Sequence, residues 1–166
     1  QNITLNPVTS GLIGWWSFDG KDMPSGRAND LSGNANHGNP ANIATSTFYT
    51  GGKIGQGLNF DGSNDLINTP LVLSHTIPLT VSLWFKVTNV ASLGAFFSQD
   101  STGTDDISLN YTPGSGITYE NETDAHSTDN ITTFGSNTFD TNWHHLVVVE
   151  KYLADVDSND YYIDGV

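Results

Sequence analysis

Oxygen-rich loops are the feature of this sequence that most directly indicates chemistry. Calcium binds six to eight oxygens, and loops of Asp, Asn and Gly supply carboxylates together with freely oriented main-chain carbonyls. Such residues are Asp19, Asp30 and Asn34 in one region, and the carboxylate pair Asp61 and Asp65 in another. The same residue types cap turns through their own backbone, so both interpretations apply at each position. We predict a structural Ca²⁺ ion with these five residues as candidate ligands.

Three aromatic residues are candidates for stacking on a sugar ring. Carbohydrate-binding surfaces carry exposed aromatic rings with amide and acid groups beside them, and Trp84, Tyr111 and Tyr119 are the best matches. Trp84 alternates with apolar residues in a predicted strand, where it shares a face with Ser82 and Lys86. Packing in the core is the alternative for each ring. We predict these three residues as the ligand-binding set.

Catalysis is disfavoured by the scarcity of glutamate. Retaining glycosidases need two carboxyl groups about 5 to 5.5 Å apart, from strands that line a cleft. The sequence has Glu120, Glu122 and Glu150. On a strand, Glu120 and Glu122 would share a face roughly 7 Å apart, which is a possible geometry for such a pair, but residues 119–124 have the polar character of a loop. We therefore predict no catalytic residue and a protein that is not an enzyme.

The histidines do not have the spacing of a zinc site. His144 and His145 are adjacent in a predicted strand, so their side chains point to opposite faces and cannot chelate one ion together. We expect one ring to pack or hydrogen-bond inside the protein and the other to face a groove or solvent.

Composition indicates a β-rich domain. The 166 residues are 36% hydrophobic and include 17 glycines, with four Trp, six Tyr and eight Phe to bury, which favours short strands joined by turns. A formal charge of -13 repels nucleic-acid phosphates and anionic membrane surfaces. No apolar run reaches the roughly 18 residues of a membrane span. We predict neither nucleic-acid binding nor membrane insertion.

Strands must position these candidate residues. Residues 1–10 have the character of a linker or an edge strand, and residues 12–18 are aromatic-rich and end at an Asp-Gly turn, which predicts a strand. Residues 19–46 contain mainly turn formers and predict a long loop. Alternation of apolar and polar residues predicts a strand at 80–87, and β-branched residues predict a buried one at 143–149. Further predicted strands are residues 57–62, 65–68, 96–97, 107–111, 117–119 and 160–163.

The end of the sequence carries a hairpin signal. Asp164-Gly165 is a strong hairpin turn, and one residue follows it. Either the returning strand is cut from the sequence, which we favour, or another chain supplies it by strand exchange.

Six blocks of the sequence, taken in order, resemble the laminin-G-like, concanavalin A-like jelly-roll domain of bacterial surface proteins. The blocks are residues 11–19, 30–38, 52–65, 79–86, 143–149 and 162–166. The resemblance covers residues 11–166 and departs from the family at its end, where further strands and an acidic segment are absent.

This resemblance implies an all-β fold over residues 11–166, an antiparallel β-sandwich of jelly-roll type whose C-terminal strands are missing from the chain. It also implies a structural calcium and a cell-surface location. We predict an extracellular, non-catalytic binding or adhesion module for carbohydrate or a surface protein. The alternative is a structural subunit of a surface filament, completed by strands from a neighbouring chain.

Overall fold

A computed structural model of the chain shows an all-β protein built from antiparallel strand pairs. It describes residues 11–44, 49–73, 78–88, 94–101, 105–123, 132–134, 139–151 and 158–166; the predicted linker at residues 1–10 lies outside these ranges. The described residues contain no helix of seven or more residues, and none there is long and apolar enough to cross a membrane. The chain divides into two compact units, Gln1–Leu71 and Val72–Val166, so the single domain over residues 11–166 stays a prediction.

The first unit contains short strands around a small core. Its strands are β1 (Asn39–Ala41), β2 (Tyr49–Gly51), β3 (Gln56–Leu58) and β4 (Leu66–Asn68), paired as β1 with β4 and β2 with β3. Two 3-10 turns, Gly20–Asp22 and Pro24–Gly26, precede β1. Met23 and Ala28 are buried, and the partly buried side chains around them are Trp16, Phe18, Ile43, Leu58 and Ile67.

Residues 12–18 do not form the predicted strand. Their backbone groups bond to the following loop instead of a neighbouring strand: the Trp15 amide donates to Asp30 Oδ1 at 2.9 Å, and the Leu31 amide donates to the Trp15 carbonyl at 2.7 Å. The Asn34 side chain donates to the Leu12 carbonyl at 2.7 Å. The strand prediction is wrong because the loop satisfies polar groups that a strand ladder would otherwise pair.

The second unit contains two antiparallel sheets. The three-stranded sheet has the order β11-β10-β5, and the four-stranded sheet has the order β6-β7-β8-β9. The strands are β5 (Thr80–Phe85), β6 (Gly94–Ser101), β7 (Asp105–Thr112), β8 (Gly116–Thr123), β9 (Thr132–Phe134), β10 (His144–Lys151) and β11 (Ser158–Ile163).

One core joins the apolar faces of these two sheets within the second unit. Its buried members are Phe85, Leu146 and Val148 from the three-stranded sheet, and Ile107, Leu109, Tyr111, Ile117 and Tyr119 from the four-stranded sheet, with Phe139 beside them. Full burial of each large apolar side chain stabilises the fold by roughly 1.5 to 3 kcal/mol. The Tyr119 hydroxyl also donates to Glu150 Oε2 at 2.9 Å, which ties β8 to β10.

The strand β5 confirms the predicted alternation. Val81 and Leu83 pack against the core with Phe85, and Ser82 and Trp84 occupy the opposite face and are exposed. Each of these side chains therefore lies on the face that the period-two pattern predicts.

The polar residues 119–124 were predicted as a loop, and that prediction is wrong for residues 119–123, while Asp124 lies outside the described residues. Strand β8 continues to Thr123, and it pairs with β7 from Gly116 opposite Thr112 to Thr123 opposite Asp105. A strand forms here because β7 supplies a hydrogen-bonding partner along the full length of β8, whatever the polarity of the side chains.

The Asp-Gly turn forms as predicted. Asp164 and Gly165 both have positive φ, 54° and 87°, as a type I′ turn requires. Ile163 and Val166 exchange two backbone hydrogen bonds of 3.1 Å across it.

Candidate functional site

Asp30 is the best-satisfied carboxylate among the five predicted calcium ligands. Its side chain is buried, at 7% exposure. Oδ1 accepts from the amides of Trp15 and Ser32, at 2.9 and 2.8 Å. Oδ2 accepts from the Ser32 hydroxyl at 2.8 Å and the Asn36 amide at 2.9 Å. A carboxylate has about four acceptor positions, so Asp30 does not fit the role of a calcium ligand and instead holds the loop together.

The surroundings of Asp30 also set its charge. Burial alone raises the pKa of this carboxyl, but hydrogen bonds from Ser32, Trp15 and Asn36 outweigh burial and hold the pKa below its ordinary value. Asp30 is therefore ionised in the folded protein at neutral pH.

Asp19 and Asn34 also hold backbone. Asp19 Oδ1 accepts from the Gln56 amide at 2.7 Å, and Oδ2 lies 3.7 Å from Lys21 Nζ. Gly55 has a φ of 64°, and a Cβ there would overlap the Asp19 carboxylate. The Asn34 amide group donates to the Leu12 carbonyl and, at 3.1 Å, to the Ser32 hydroxyl. Both side chains thus bond to backbone groups that are distant in the sequence, Gln56 for Asp19 and Leu12 for Asn34. The Asp19 side chain makes no cap hydrogen bond to the 3-10 turn that follows it.

Asp65 is the predicted ligand whose surroundings fit a cation. Its Oδ2 accepts from the Asp61 amide at 2.8 Å, while Asp61 Oδ1 accepts from the Ser63 amide at 2.8 Å. Asp65 Oδ1 is buried and has no hydrogen-bond partner in the described part of the chain. An unpaired buried carboxylate oxygen is costly, and a cation would satisfy it.

Main-chain carbonyls next to Asp65 would supply further oxygen ligands for calcium. No group of three or more His, Cys, Asp or Glu side chains among the described residues could hold a metal ion. Calcium also accepts main-chain carbonyls, and the Asn64 carbonyl, which accepts from Asn42 Nδ2 at 2.9 Å, adjoins Asp65. An ion at Asp65 would take Oδ1 as a ligand and would add rigidity to the turn between Asp61 and Asp65.

Tyr111 and Tyr119 were predicted as ligand-binding rings, and the structure buries both of them instead, although Tyr111 also lines the groove described below. Their exposures are 6% and 1%. Tyr111 packs edge-on against Phe139, with ring centroids 5.9 Å apart, and Tyr119 bonds to Glu150 in the core. Both lie on the apolar face of their strands, which the local sequence does not distinguish from the outer face.

Trp84 is the predicted aromatic ligand that the fold leaves at the surface. Its side chain is 39% exposed, and its ring stacks on His145 at a centroid distance of 4.8 Å. Ser82 Oγ lies 2.9 Å from His145 Nε2. We call Trp84, His145 and Ser82 the Trp84 surface; it combines an aromatic face with polar atoms beside it.

The two histidines of β10 lie on opposite faces, as predicted. His144 packs against the rings of Phe85 and Phe139, with centroid distances of 5.7 and 5.3 Å. Its Nε2 lies 3.1 Å from Asp140 Oδ1, and its Nδ1 lies 2.8 Å from Asp164 Oδ2. The two rings therefore share no ligand position, and His144 has a carboxylate at each nitrogen.

Asp164 fixes the backbone of His145, whose ring belongs to the Trp84 surface. Its Oδ1 accepts from the His145 amide at 2.9 Å, and its own amide donates to the His145 carbonyl at 2.9 Å. The hydrogen bond from the His145 amide, followed by that from His144, lowers the pKa of Asp164. The turn thus fixes the strand position that carries the His145 ring.

A groove of about 430 Å³ on the four-stranded sheet was not predicted from the sequence. Its lining residues are Gly94, Ala95, Asn110, Tyr111, Thr112, Thr118 and Glu120. Register places Ala95, Asn110 and Thr118 side by side on adjacent strands. The period-two pattern of residues 107–111 indicates an outward position for Asn110, but strand pairing is what brings the groove together.

Comparison with known proteins returned no relative: no protein-family model, curated protein or solved structure matches the chain.

Proposed function

We propose that this protein is an extracellular, non-catalytic carbohydrate-binding module with a concanavalin A-like jelly-roll sandwich. The single observation that carries the proposal is the exposed Trp84 ring on a regular strand. Two antiparallel sheets that share a core in the second unit support the sandwich, and the six sequence blocks support the jelly-roll order of strands.

The chemistry of the Trp84 surface suits a sugar. The CH-bearing face of a sugar ring packs on an aromatic ring, while its hydroxyls need polar partners. Trp84 supplies the ring, and Ser82 and His145 supply the polar atoms. Strand β5 holds Trp84 in place through its pairing with β10, so little conformational freedom is lost on binding.

The proposal includes that the protein does not hydrolyse the carbohydrate it binds. Glu120 is the only carboxyl residue among the described residues that line the groove, whereas glycoside hydrolysis ordinarily uses two. A structural calcium at Asp61 and Asp65 completes the proposal, and it rests on the unpaired Asp65 oxygen.

Trp84→Ala tests this function. The intact chain is first screened by affinity electrophoresis in gels containing cellulose derivatives, xylan, mannan or soluble chitin, and retained polysaccharides are then measured by titration. We expect Trp84→Ala to weaken binding about tenfold, which corresponds to about 1.4 kcal/mol, because the stacking contact is lost.

Trp15→Ala is the matched control, since Trp15 is 52% exposed and belongs to the first unit. We expect it to bind like the parent protein. Unchanged affinity in Trp84→Ala, or loss in Trp15→Ala alone, would remove the Trp84 surface as the site. Release of reducing sugars during incubation would contradict the non-catalytic assignment.

A further inference from the structure

We infer that the groove on the four-stranded sheet binds a segment of a neutral glycan chain and discriminates against acidic sugars. This inference rests on the proposed function, to which it adds a second, separate binding site on the outer face of the other sheet and a class of sugar. The residues that carry it are Ser108, Asn110, Thr118 and Glu120, together with Ala95 at the edge.

The polar side chains of the groove lie on one face of two paired strands. Asn110 on β7 is opposite Thr118 on β8, and Ser108 is opposite Glu120. Directly opposed residues of an antiparallel pair share a face. The groove thus presents an amide, a hydroxyl and a carboxylate together, and these groups match sugar hydroxyls, which both donate and accept hydrogen bonds.

Hydrogen bonds through Ser108 hold the side chains of Asn110 and Glu120 in place. Asn110 Nδ2 donates to Ser108 Oγ at 2.7 Å, and Ser108 Oγ donates to Glu120 Oε2 at 2.8 Å. Ser108 itself is buried. Because the carboxylate has about four acceptor positions, Glu120 retains capacity for ligand hydroxyls, and its fixed geometry lowers the entropic cost of binding.

Small residues on β6 leave the space that a sugar would occupy. Ala95 is exposed and pairs with Asn110, so its methyl group lies beside the polar side chains of the groove. Gly94 also lines the groove and has no side chain. The groove is shallow and open to solvent, so it would contact one side of a glycan chain and leave the other side in solvent.

Charge determines which sugars fit. The described lining contains Glu120 and no Lys, Arg or His, and the whole chain carries a formal charge of -13. A uronate or sulfated sugar would bring a second negative charge beside Glu120, which is repulsive. Neutral sugars avoid this repulsion and donate hydroxyl protons to the carboxylate.

Titration calorimetry on the full chain tests the inference with cellohexaose, xylohexaose and mannohexaose as neutral probes and hexagalacturonate as the acidic probe. We expect at least one neutral hexasaccharide to bind, and hexagalacturonate to bind at least about tenfold more weakly. The groove and the Trp84 surface lie on the outer faces of the two sheets that share the core, so each binds its own glycan segment. In the Trp84→Ala background, where the groove is the remaining proposed site, Ala95→Tyr should therefore weaken neutral binding about tenfold or more by filling the groove. Glu120→Gln should reduce the discrimination against hexagalacturonate.

Ser98→Tyr is the matched control, because Ser98 is also exposed on β6 and shares the outer face through its pairing with Ser108, yet it does not line the groove. Amide chemical shifts of the wild-type protein give a test without substitution: a neutral probe should move the signals of Asn110 and Thr118. Unmoved signals, equal weakening by both tyrosine variants, or equal binding of hexagalacturonate would overturn the inference.

The results also separate the two proposals. Loss of binding in Trp84→Ala with full affinity in Ala95→Tyr would remove the groove and leave the proposed function in place. The absence of binding to any polysaccharide would remove both.

Discussion

Asp30 shows how one side chain can organise an irregular segment. It accepts four hydrogen bonds while buried, and three of the donors are backbone amides that no strand partner satisfies. Residues 12–18 and the loop after Asp30 therefore depend on one carboxylate more than on a strand ladder.

We predict that Asp30→Asn lowers the free energy of unfolding by about 2 to 3 kcal/mol, because buried donors lose an anionic acceptor and face an amide NH₂ group instead. Urea denaturation measures the change. Asp61→Asn, compared in the presence of EDTA so that no bound cation contributes, is the control, since Asp61 is exposed and its carboxylate accepts a backbone hydrogen bond from Ser63; we expect less than about 1 kcal/mol there. Equal effects in the two variants would refute the role given to Asp30.

The pH dependence of unfolding, measured for the wild type and Asp30→Asn, checks whether the charge of Asp30 is the cause of its stabilising effect. The pKa of Asp30 is lowered on folding, so its contribution is fully present above the unfolded-state value of about 3.9 and is lost as the pH falls through the lowered folded value. The stability difference between wild type and Asp30→Asn should therefore be constant near neutral pH and shrink in acid below about pH 4.

At the scale of the element, the sequence predicts strands best where burial imposes a pattern. The apolar alternation of residues 80–87 and the β-branched run at 143–149 predicted β5 and β10 because each places one face in a core. Residues 12–18 have equally large side chains, but their backbone pairs with a loop. Strand β8 extends through polar residues because β7 lies beside it. Long-range pairing of this kind leaves no local signal.

The turn at Asp164 and Gly165 is an element whose stability can be tested. We predict that Asp164→Asn raises amide hydrogen exchange at Ile163 and Val166 about tenfold, because the turn loses the anionic acceptor for the His145 amide and for His144. Asn tolerates positive φ as Asp does, so the backbone conformation itself is not the variable.

Asp140→Asn is the control for the Asp164 variant. It alters the other carboxylate beside His144 without touching the His145 backbone. Exchange at Ile163 and Val166 should stay near the wild-type rate, and a rise equal to that of Asp164→Asn would show that His144, and not the backbone anchor, stabilises the turn.

For the whole molecule, composition predicted the all-β class, since aromatic residues, glycines and turn formers leave few other ways to bury apolar surface. The candidate site was less accessible to prediction. The exposure of Trp84 was predicted because its strand alternates clearly, whereas Tyr111 and Tyr119 were expected at the surface and lie in the core. Asn110 and Glu120 meet only through the pairing of β7 with β8, which requires the three-dimensional structure.

The predicted calcium site is tested at the scale of the whole chain, because the net charge of the chain affects how its stability responds to any divalent ion. A formal charge of -13 destabilises the folded state through self-repulsion, which any cation relieves. A rise in melting temperature with CaCl₂ is therefore specific only if it exceeds the rise with MgCl₂ at equal ionic strength. We predict such an excess, worth about 2.7 kcal/mol when Ca²⁺ is 100-fold above its dissociation constant.

Asp65→Asn should abolish that excess, because the buried Oδ1 of Asp65 is the oxygen that lacks a donor. Asp140→Asn removes the same charge from the second unit, where Asp140 is exposed, and should retain the full effect of Ca²⁺. Scanning calorimetry of the three proteins, each with Ca²⁺, with Mg²⁺ and with EDTA, separates the explanations. An undiminished excess in Asp65→Asn would place the ion elsewhere, and identical melting of the wild type in Ca²⁺ and EDTA would show that the calcium prediction is wrong.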